Sequence, residues 1–218
     1  MKITVVRDIL EANERIARQN REIFDENNLV VINLMSAPGS GKTSLLERSI
    51  DALKDEIRMG IIEGDIQSSR DAERVARKGV PAVQINTGGE CHLDGNMIRV
   101  TFKDFDFRSL QLLVVENVGN LVCPAEFNMG EDYKIMMLSV TEGDDKPSKY
   151  PLMFRKSKVL LINKVDLLPY VDCSIEHIEE EAKKINPDLT IFRISCKTGE
   201  GLNDWYSWLR EQVKNRKK

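Results

Sequence analysis

The stretch VVINLMSAPGSGKTSLLE, residues 30–47, constrains this chain more than any other. A short apolar run ends in a glycine-containing turn, and a helical pattern begins at once. Gly39, Ser40, Gly41, Lys42, Thr43 and Ser44 form the second half of a P-loop, G-x-x-x-x-G-K-[ST], with Ser36 in place of its first glycine. Small residues let successive backbone N–H groups converge on phosphate oxygens at a helix N-terminus. Lysine reaches the β and γ oxygens, and threonine ligates Mg²⁺. Such a loop needs a strand before it and a helix after it, which already points to layered α/β architecture.

The rest of the chain repeats that alternation. Apolar runs at 29–35, 58–62, 82–85, 110–115, 134–140, 158–162 and 190–194 mostly lack polar alternation, as expected of strands buried on both faces. Helical patterns lie between several of them, in KTSLLERSIDALKDE, SRDAERVARKG, SIEHIEEEAKKIN and GLNDWYSWLREQVKN. The expected fold is an α/β, mostly parallel central sheet wrapped by helices. Two parts are expected: an N-terminal amphipathic helix over 1–28, packing on the core or on a partner, and a P-loop domain over 29–218.

In such sheets ligands gather beyond the carboxyl ends of the strands. Asp65 in IIEGDI and Glu116 in LLVVENVGN stand there, and either could bind magnesium directly or hold its waters. Lys42 and Asp65 are the candidate catalytic residues, while Gly119 stands where a backbone N–H could sense a γ-phosphate. Asn163, Lys164 and Asp166 of NKVD follow another strand. An aspartate there pairs with the ring N–H and exocyclic amine of guanine, a donor pair that adenine lacks. Lys164 would cover the base, Asn163 would tie the loops together, and the Ser195, Cys196 and Lys197 backbone would meet the guanine carbonyl.

Composition narrows the partners. The 218 residues carry 32 basic and 35 acidic side chains, a net charge of −3, so no overall field draws the chain to nucleic acid or to an anionic membrane. The apolar runs are too short to cross a bilayer, and the expectation is a cytoplasmic protein. Four cysteines without paired spacing are expected to be reduced. Cys196 reads as a small buried filler, Cys173 as a residue packed near a helix start, and His177 as a surface residue. Cys91 and His92 in INTGGECHLDGN are different, since thiolate and imidazole suit zinc or nickel. They could share an ion only from a loop or a helix start. Cys123 follows another predicted strand, on the phosphate side of the sheet, and three such ligands leave the fourth position to water, to a thiolate from another subunit or to a partner protein.

GSGKT, IEGDIQ, NTGGECHLD, ENVGNLVCPAEFNMGED, LSVTEGDDKPSKYPLMF, INKVDLLPYVD and SCKTGEGL together resemble the hydrogenase nickel-incorporation GTPases of the HypB family, in the SIMIBI class. The match runs from Leu29 onward. The related urease accessory GTPases carry Cys-Pro-His as their metal motif, which this chain lacks. The resemblance implies hydrolysis of GTP to GDP with Mg²⁺ and a homodimer dependent on GTP or metal; no glutamine follows Gly119 to orient water, so slow turnover is expected. It also implies a two-fold interface holding Ni²⁺ or Zn²⁺ on Cys91, His92 and Cys123, and a Lys149 that reaches the opposite nucleotide. Implied partners are a hydrogenase maturation accessory protein and the hydrogenase large subunit. Many relatives add histidines where this chain has Asn96, Arg99 and Val100, so a dinuclear site is not expected, and without a Cys-rich or His-rich N-terminal tract neither is tight nickel storage. Two alternatives are a small-molecule kinase, against which NKVD and SCK argue, and a nucleotide-gated binding module with a structural zinc.

Overall fold

The computed structural model describes the backbone of residues 5–65 and 70–216, and the side-chain surroundings of 10–65 and 73–216. Ile66 and Gln67 of IEGDIQ, and the last two residues of the basic end, lie outside that range. Seven strands form one sheet in the order β3-β2-β4-β1-β5-β6-β7. They are β1 (Val30–Ser36), β2 (Met59–Asp65), β3 (Ala82–Asn86), β4 (Leu112–Glu116), β5 (Tyr133–Ser139), β6 (Val159–Asn163) and β7 (Thr190–Arg193). Every adjacent pair is parallel. All seven apolar runs are therefore strands, displaced by at most a few residues at their ends.

The helices are α1 (Val5–Glu26), α2 (Lys42–Leu53), α3 (Arg70–Ala76), α4 (Gly95–Val100), α5 (Cys123–Glu126), α6 (Lys146–Lys149), α7 (Pro151–Lys156), α8 (Ile175–Ile185) and α9 (Leu202–Arg216). Helices α4 to α7 were not legible in the apolar periodicity. None exceeds six residues, and prolines 124, 147 and 151 punctuate three of them. One or two turns carry too few positions for a 3.6-residue period to register.

Alternation along the strands splits the core into two layers. Val30, Ile32 and Leu34 of β1, with Leu112 and Val114 of β4, pack against Leu45 and Ile50 of α2 and Trp205 and Leu209 of α9. The intervening Val31, Leu113 and Val115 face Phe24, Leu93, Ile98 and Phe107 on the other side. Farther along that sheet, Met136, Leu138, Leu160 and Ile162 meet Phe154 and Ile178. Each fully buried side chain of this size stabilises the fold by about 1.5–3 kcal/mol.

Helix α1 packs on this chain through more than an apolar stripe. Asn13 and Asn20 are buried. Asn20 Nδ2 donates to Gly95 O at 2.8 Å, and Gly95 N donates to Asn13 Oδ1 at 2.8 Å. A Cβ on Gly95 would lie 3.3 Å from Ala17 N, and one on Gly130 would lie 2.8 Å from Ala17 O, so glycine lets helix and loops approach. The inner face of α1 thus packs on the core of its own chain. Among the described residues no helix is long and apolar enough to cross a membrane.

Candidate functional site

The carboxyl ends of β1, β2 and β4 open onto a cleft of about 450 Å³ lined by the P-loop residues Gly39 and Gly41 to Ser44, and by Glu63, Asp65, Arg74, Gln84 and Glu116 to Gly119. Its size suits a nucleotide's phosphates and sugar. Gly39 and Gly41 have φ of 77° and 107°, the left-handed region where a side chain is strained. Gly41 is crowded as well, because a Cβ there would meet Asn163 Nδ2 at 2.5 Å. The loop therefore needs glycine for shape and for contact.

Lys42 is buried, and its Nζ donates to Ser36 Oγ at 3.0 Å. The serine that replaces the usual first glycine thus holds the P-loop lysine at the mouth of the loop. Thr43 Oγ1 donates to Glu116 Oε1 at 3.0 Å. Glu63 of β2 lies beside Glu116 in register, and Asp65 ends the same strand. This hard oxygen set suits Mg²⁺, with Thr43, Glu116 and Asp65 as the residues that would hold it. Gly119 sits against the P-loop, and a Cβ on it would meet Pro38 N at 2.9 Å.

A second opening of about 300 Å³ lies between the ends of β6 and β7, lined by Ser44, Asn163, Lys164, Asp166, Leu167, Cys196 and Lys197. Asn163 joins three loops: its Nδ2 donates to Ser40 O at 2.8 Å, while its Oδ1 accepts from Cys196 N at 3.1 Å. Lys164 has φ of 64°, and its Nζ donates to Gly39 O at 2.8 Å. Ser195 Oγ donates to Asp166 Oδ1 at 2.5 Å and accepts from Lys197 N and Thr198 N. That arrangement leaves the Asp166 carboxylate at the pocket wall and orients the Cys196 and Lys197 backbone. Burial pushes the Cys196 thiol up to about 11, which keeps it a neutral filler.

Cys91, His92 and Cys123 come together. Their ligand atoms all lie within 4.8 Å of one another, the only such His, Cys, Asp or Glu group among the described residues. Cys91 and His92 sit in the loop between β3 and α4, and Cys123 is the first residue of α5. Cys91 Sγ donates to Cys123 Sγ at 3.0 Å, and His92 Nδ1 lies 3.6 Å from Cys91 Sγ. The Cys91 contact, with burial second, raises the Cys123 thiol pKa. Burial lowers the pKa of His92, opposed by Asp94, Glu90 and Glu126, which favours the neutral imidazole that ligates metal. Its ring stacks on Phe127 at 3.8 Å between centroids. Two sulfurs and one nitrogen suit zinc or nickel and leave a position for a further ligand.

Several residues of this region were missed in the sequence. Asn117 is buried, and its Oδ1 accepts from Leu93 N at 3.0 Å while its Nδ2 donates to Asn33 Oδ1 at 3.1 Å. Glu142 Oε1 accepts from Ser40 Oγ at 2.7 Å and from Ser139 N at 2.8 Å, bracing the P-loop from the end of β5. Arg48 of α2 donates to Cys196 O and Lys197 O, both at 2.9 Å, and so holds the base loop. Only the position of Asn117 beside Glu116 could have flagged it. Lys149 lies away from these openings; 58% of its side chain is exposed, and it pairs with Asp145. His177 is exposed, and Cys173 immediately precedes Ser174, the N-cap of α8.

A P-loop at the end of the central strand, a strand-end acid bonded to its threonine and an NKVD loop define a nucleotide-binding P-loop protein. A profile of the CobW/HypB/UreG nucleotide-binding domain matches residues 30–193. The hydrogenase maturation factor HypB of Azotobacter vinelandii is 48% identical over 210 residues, 96% of this chain and 69% of that protein. The crystal structure of HypB from Helicobacter pylori in complex with nickel superposes with a TM-score of 0.88 at 38% identity, covering 94% of this chain and 96% of that one. HypB from Archaeoglobus fulgidus gives 0.88 at 44% identity, with 93% and 99% coverage. The chain belongs to the CobW/HypB/UreG family, on its HypB branch.

Proposed function

We propose that this protein is a GTP-hydrolysing metallochaperone that assists nickel insertion into a hydrogenase, acting as a homodimer with the metal as its cargo. The observation that carries this reading is the Cys91, His92 and Cys123 cluster, on loops that leave the same carboxyl end of the sheet as the P-loop.

The phosphates lie on the backbone of Gly39 to Ser44, with Lys42 released from Ser36 to reach them. Thr43, Glu116 and Asp65 would hold Mg²⁺, which would supply charge neutralisation at the transferred phosphoryl group. Asp166 selects guanine through two hydrogen bonds, while Lys164 covers the ring. Asp65 and the Gly119 backbone respond to the γ-phosphate. Because Asn117 follows Glu116 and touches Leu93, that response reaches the metal loop. Loss of the γ-phosphate relaxes these loops, the dimer and the grip on the cargo together. Lys149, exposed on α6, extends to the partner's nucleotide. Among the described residues no side chain stands out as activating water, and slow turnover is expected.

The test is to measure GTP hydrolysis and the dimer fraction with GDP, with a non-hydrolysable GTP analogue, and with and without Ni²⁺ or Zn²⁺. Dimerisation should strengthen with the analogue and with metal. A dimerisation constant indifferent to both sinks the reading.

A further inference from the structure

Lys134 of β5 is a largely covered cation on the sheet that does not line either nucleotide opening. Only 12% of its side chain is exposed. Its Nζ donates to Ala125 O at 2.8 Å, to Phe127 O at 2.9 Å and to Pro124 O at 3.4 Å. Glu131 Oε1 stands 3.6 Å away. An ammonium has three hydrogens, and here three carbonyls surround it.

Those carbonyls end α5, and α5 begins with Cys123. A four-residue helix is far too short to hold its own shape. Its terminal carbonyls form the negative end of the backbone dipole, where a cation is stabilising. Phe127 also carries the ring on which His92 stacks. One ammonium therefore fixes two ligand arms, the Cys123 thiol through α5 and the His92 ring through Phe127. The base is rigid as well: Lys134 pairs in register with Asn33 of β1, the residue that receives the Asn117 amide.

We propose that Lys134 is a positioning residue for the Cys91, His92 and Cys123 metal site, fixing the backbone of 124–127 so that thiolate and imidazole converge. This rests on the reading of that cluster as a metal site. Ligands held in place before metal arrives bind more tightly than ligands that must first be ordered, and the groups that orient them affect affinity about as measurably as tenfold to a hundredfold. Charge and reach both matter. Methionine keeps much of the length without a donor, glutamine is shorter and neutral, and arginine keeps the charge on a different fork.

The experiment is Zn²⁺ competition against a chromophoric chelator for wild type, Lys134→Met, Lys134→Gln, Lys134→Arg and Cys123→Ala. The Co²⁺-thiolate charge-transfer band, thermal melting and affinity for a fluorescent GDP are measured alongside. Lys134→Met should lose about tenfold or more in Zn²⁺ affinity and weaken the Co²⁺ band, with GDP affinity within about twofold of wild type. Lys134→Arg should recover part of the loss. Equal Zn²⁺ affinity in wild type and a folded Lys134→Met overturns the proposal, as does a loss of zinc matched by the same loss of GDP. If Lys134→Met does not fold, the Arg and Gln variants decide: arginine must bind zinc more tightly than glutamine, and the reverse order or equality overturns the proposal. Equal binding by wild type and Cys123→Ala overturns the metal-site reading itself, and the Lys134 role with it.

Discussion

Asn117 and Leu93 meet between the two loops that carry nucleotide and metal ligands: the Asn117 side-chain oxygen accepts the Leu93 backbone N–H at 3.0 Å. Leu93 directly follows His92, and Asn117 directly follows Glu116. Asn117→Ala leaves a buried N–H without its acceptor, which destabilises by about 1–3 kcal/mol. It should also uncouple the sites. Wild type should bind Zn²⁺ with different affinity in GDP and in a GTP analogue, and in the variant the two affinities should converge. Calorimetric titration in both nucleotide states checks this, and a variant that keeps the full difference refutes the link.

Asp166→Asn should change which base is bound. The amide replaces one acceptor with a donor, so guanine loses a hydrogen bond and meets a clash of donors, whereas xanthine offers a carbonyl in the same place. GTP affinity should fall by about 10²-fold or more, with xanthosine triphosphate now preferred. Competition against a fluorescent nucleotide measures both, and unchanged GTP affinity removes Asp166 from the base site.

Gly119→Ala adds one methyl group, 2.9 Å from Pro38 N. The neighbour is P-loop backbone, which cannot rotate away. Nucleotide affinity should drop about tenfold, since a misplaced site by a fraction of an ångström carries penalties of this order. The melting temperature should change little in the absence of nucleotide. Affinity within twofold of wild type shows that the two loops separate freely.

Cys196 should resist alkylation. Its thiol titrates near pH 11, because burial disfavours the thiolate. At about pH 8 the native thiol carries roughly a hundredth of the thiolate of an ordinary one, since each pH unit is a factor of ten. The sign for stability follows. The unfolded thiol ionises first as pH rises past its ordinary range, so burial of neutral Cys196 favours the native state below that range and loses this contribution as pH climbs toward 11. Mass-resolved iodoacetamide labelling of native and urea-unfolded protein gives the ratio directly; rates within about threefold refute the burial argument.

Cys91 and Cys123 should form an intramolecular disulfide under diamide when no metal is present, because their sulfurs already lie 3.0 Å apart. Zn²⁺ should protect both thiols. Peptide mapping reads the crosslink, and crosslinking equally fast with saturating zinc contradicts shared ligation.

The nucleotide site was the legible part of the sequence, because its chemistry is local: Gly39 to Ser44 are contiguous, and so are Asn163 to Asp166. All seven strands were legible too, since burial on both faces leaves unbroken apolar runs. The supports were not. Asn117, Glu142, Arg48 and Lys134 act across distances of 24 to 149 residues or on backbone carbonyls, and a single polar residue in a strand, helix or loop leaves no periodic signature. The buried asparagines of α1, Asn13 and Asn20, went unnoticed for a related reason. They are polar positions that add nothing to an apolar period, yet they satisfy the backbone of Gly95 and Met129.

Cys91 and Cys123 are 32 positions apart in the chain, and β4 with Glu116 lies inside that span. An ion held by both sulfurs is therefore a staple around the strand that presents a phosphate-site acid. In the unfolded chain, closing a ring of that size restricts conformational freedom by about 3–4 kcal/mol in the entropic account of crosslinks. Loaded and empty protein should differ in mechanical and proteolytic endurance. The cargo would thereby advertise its own presence through the durability of its carrier.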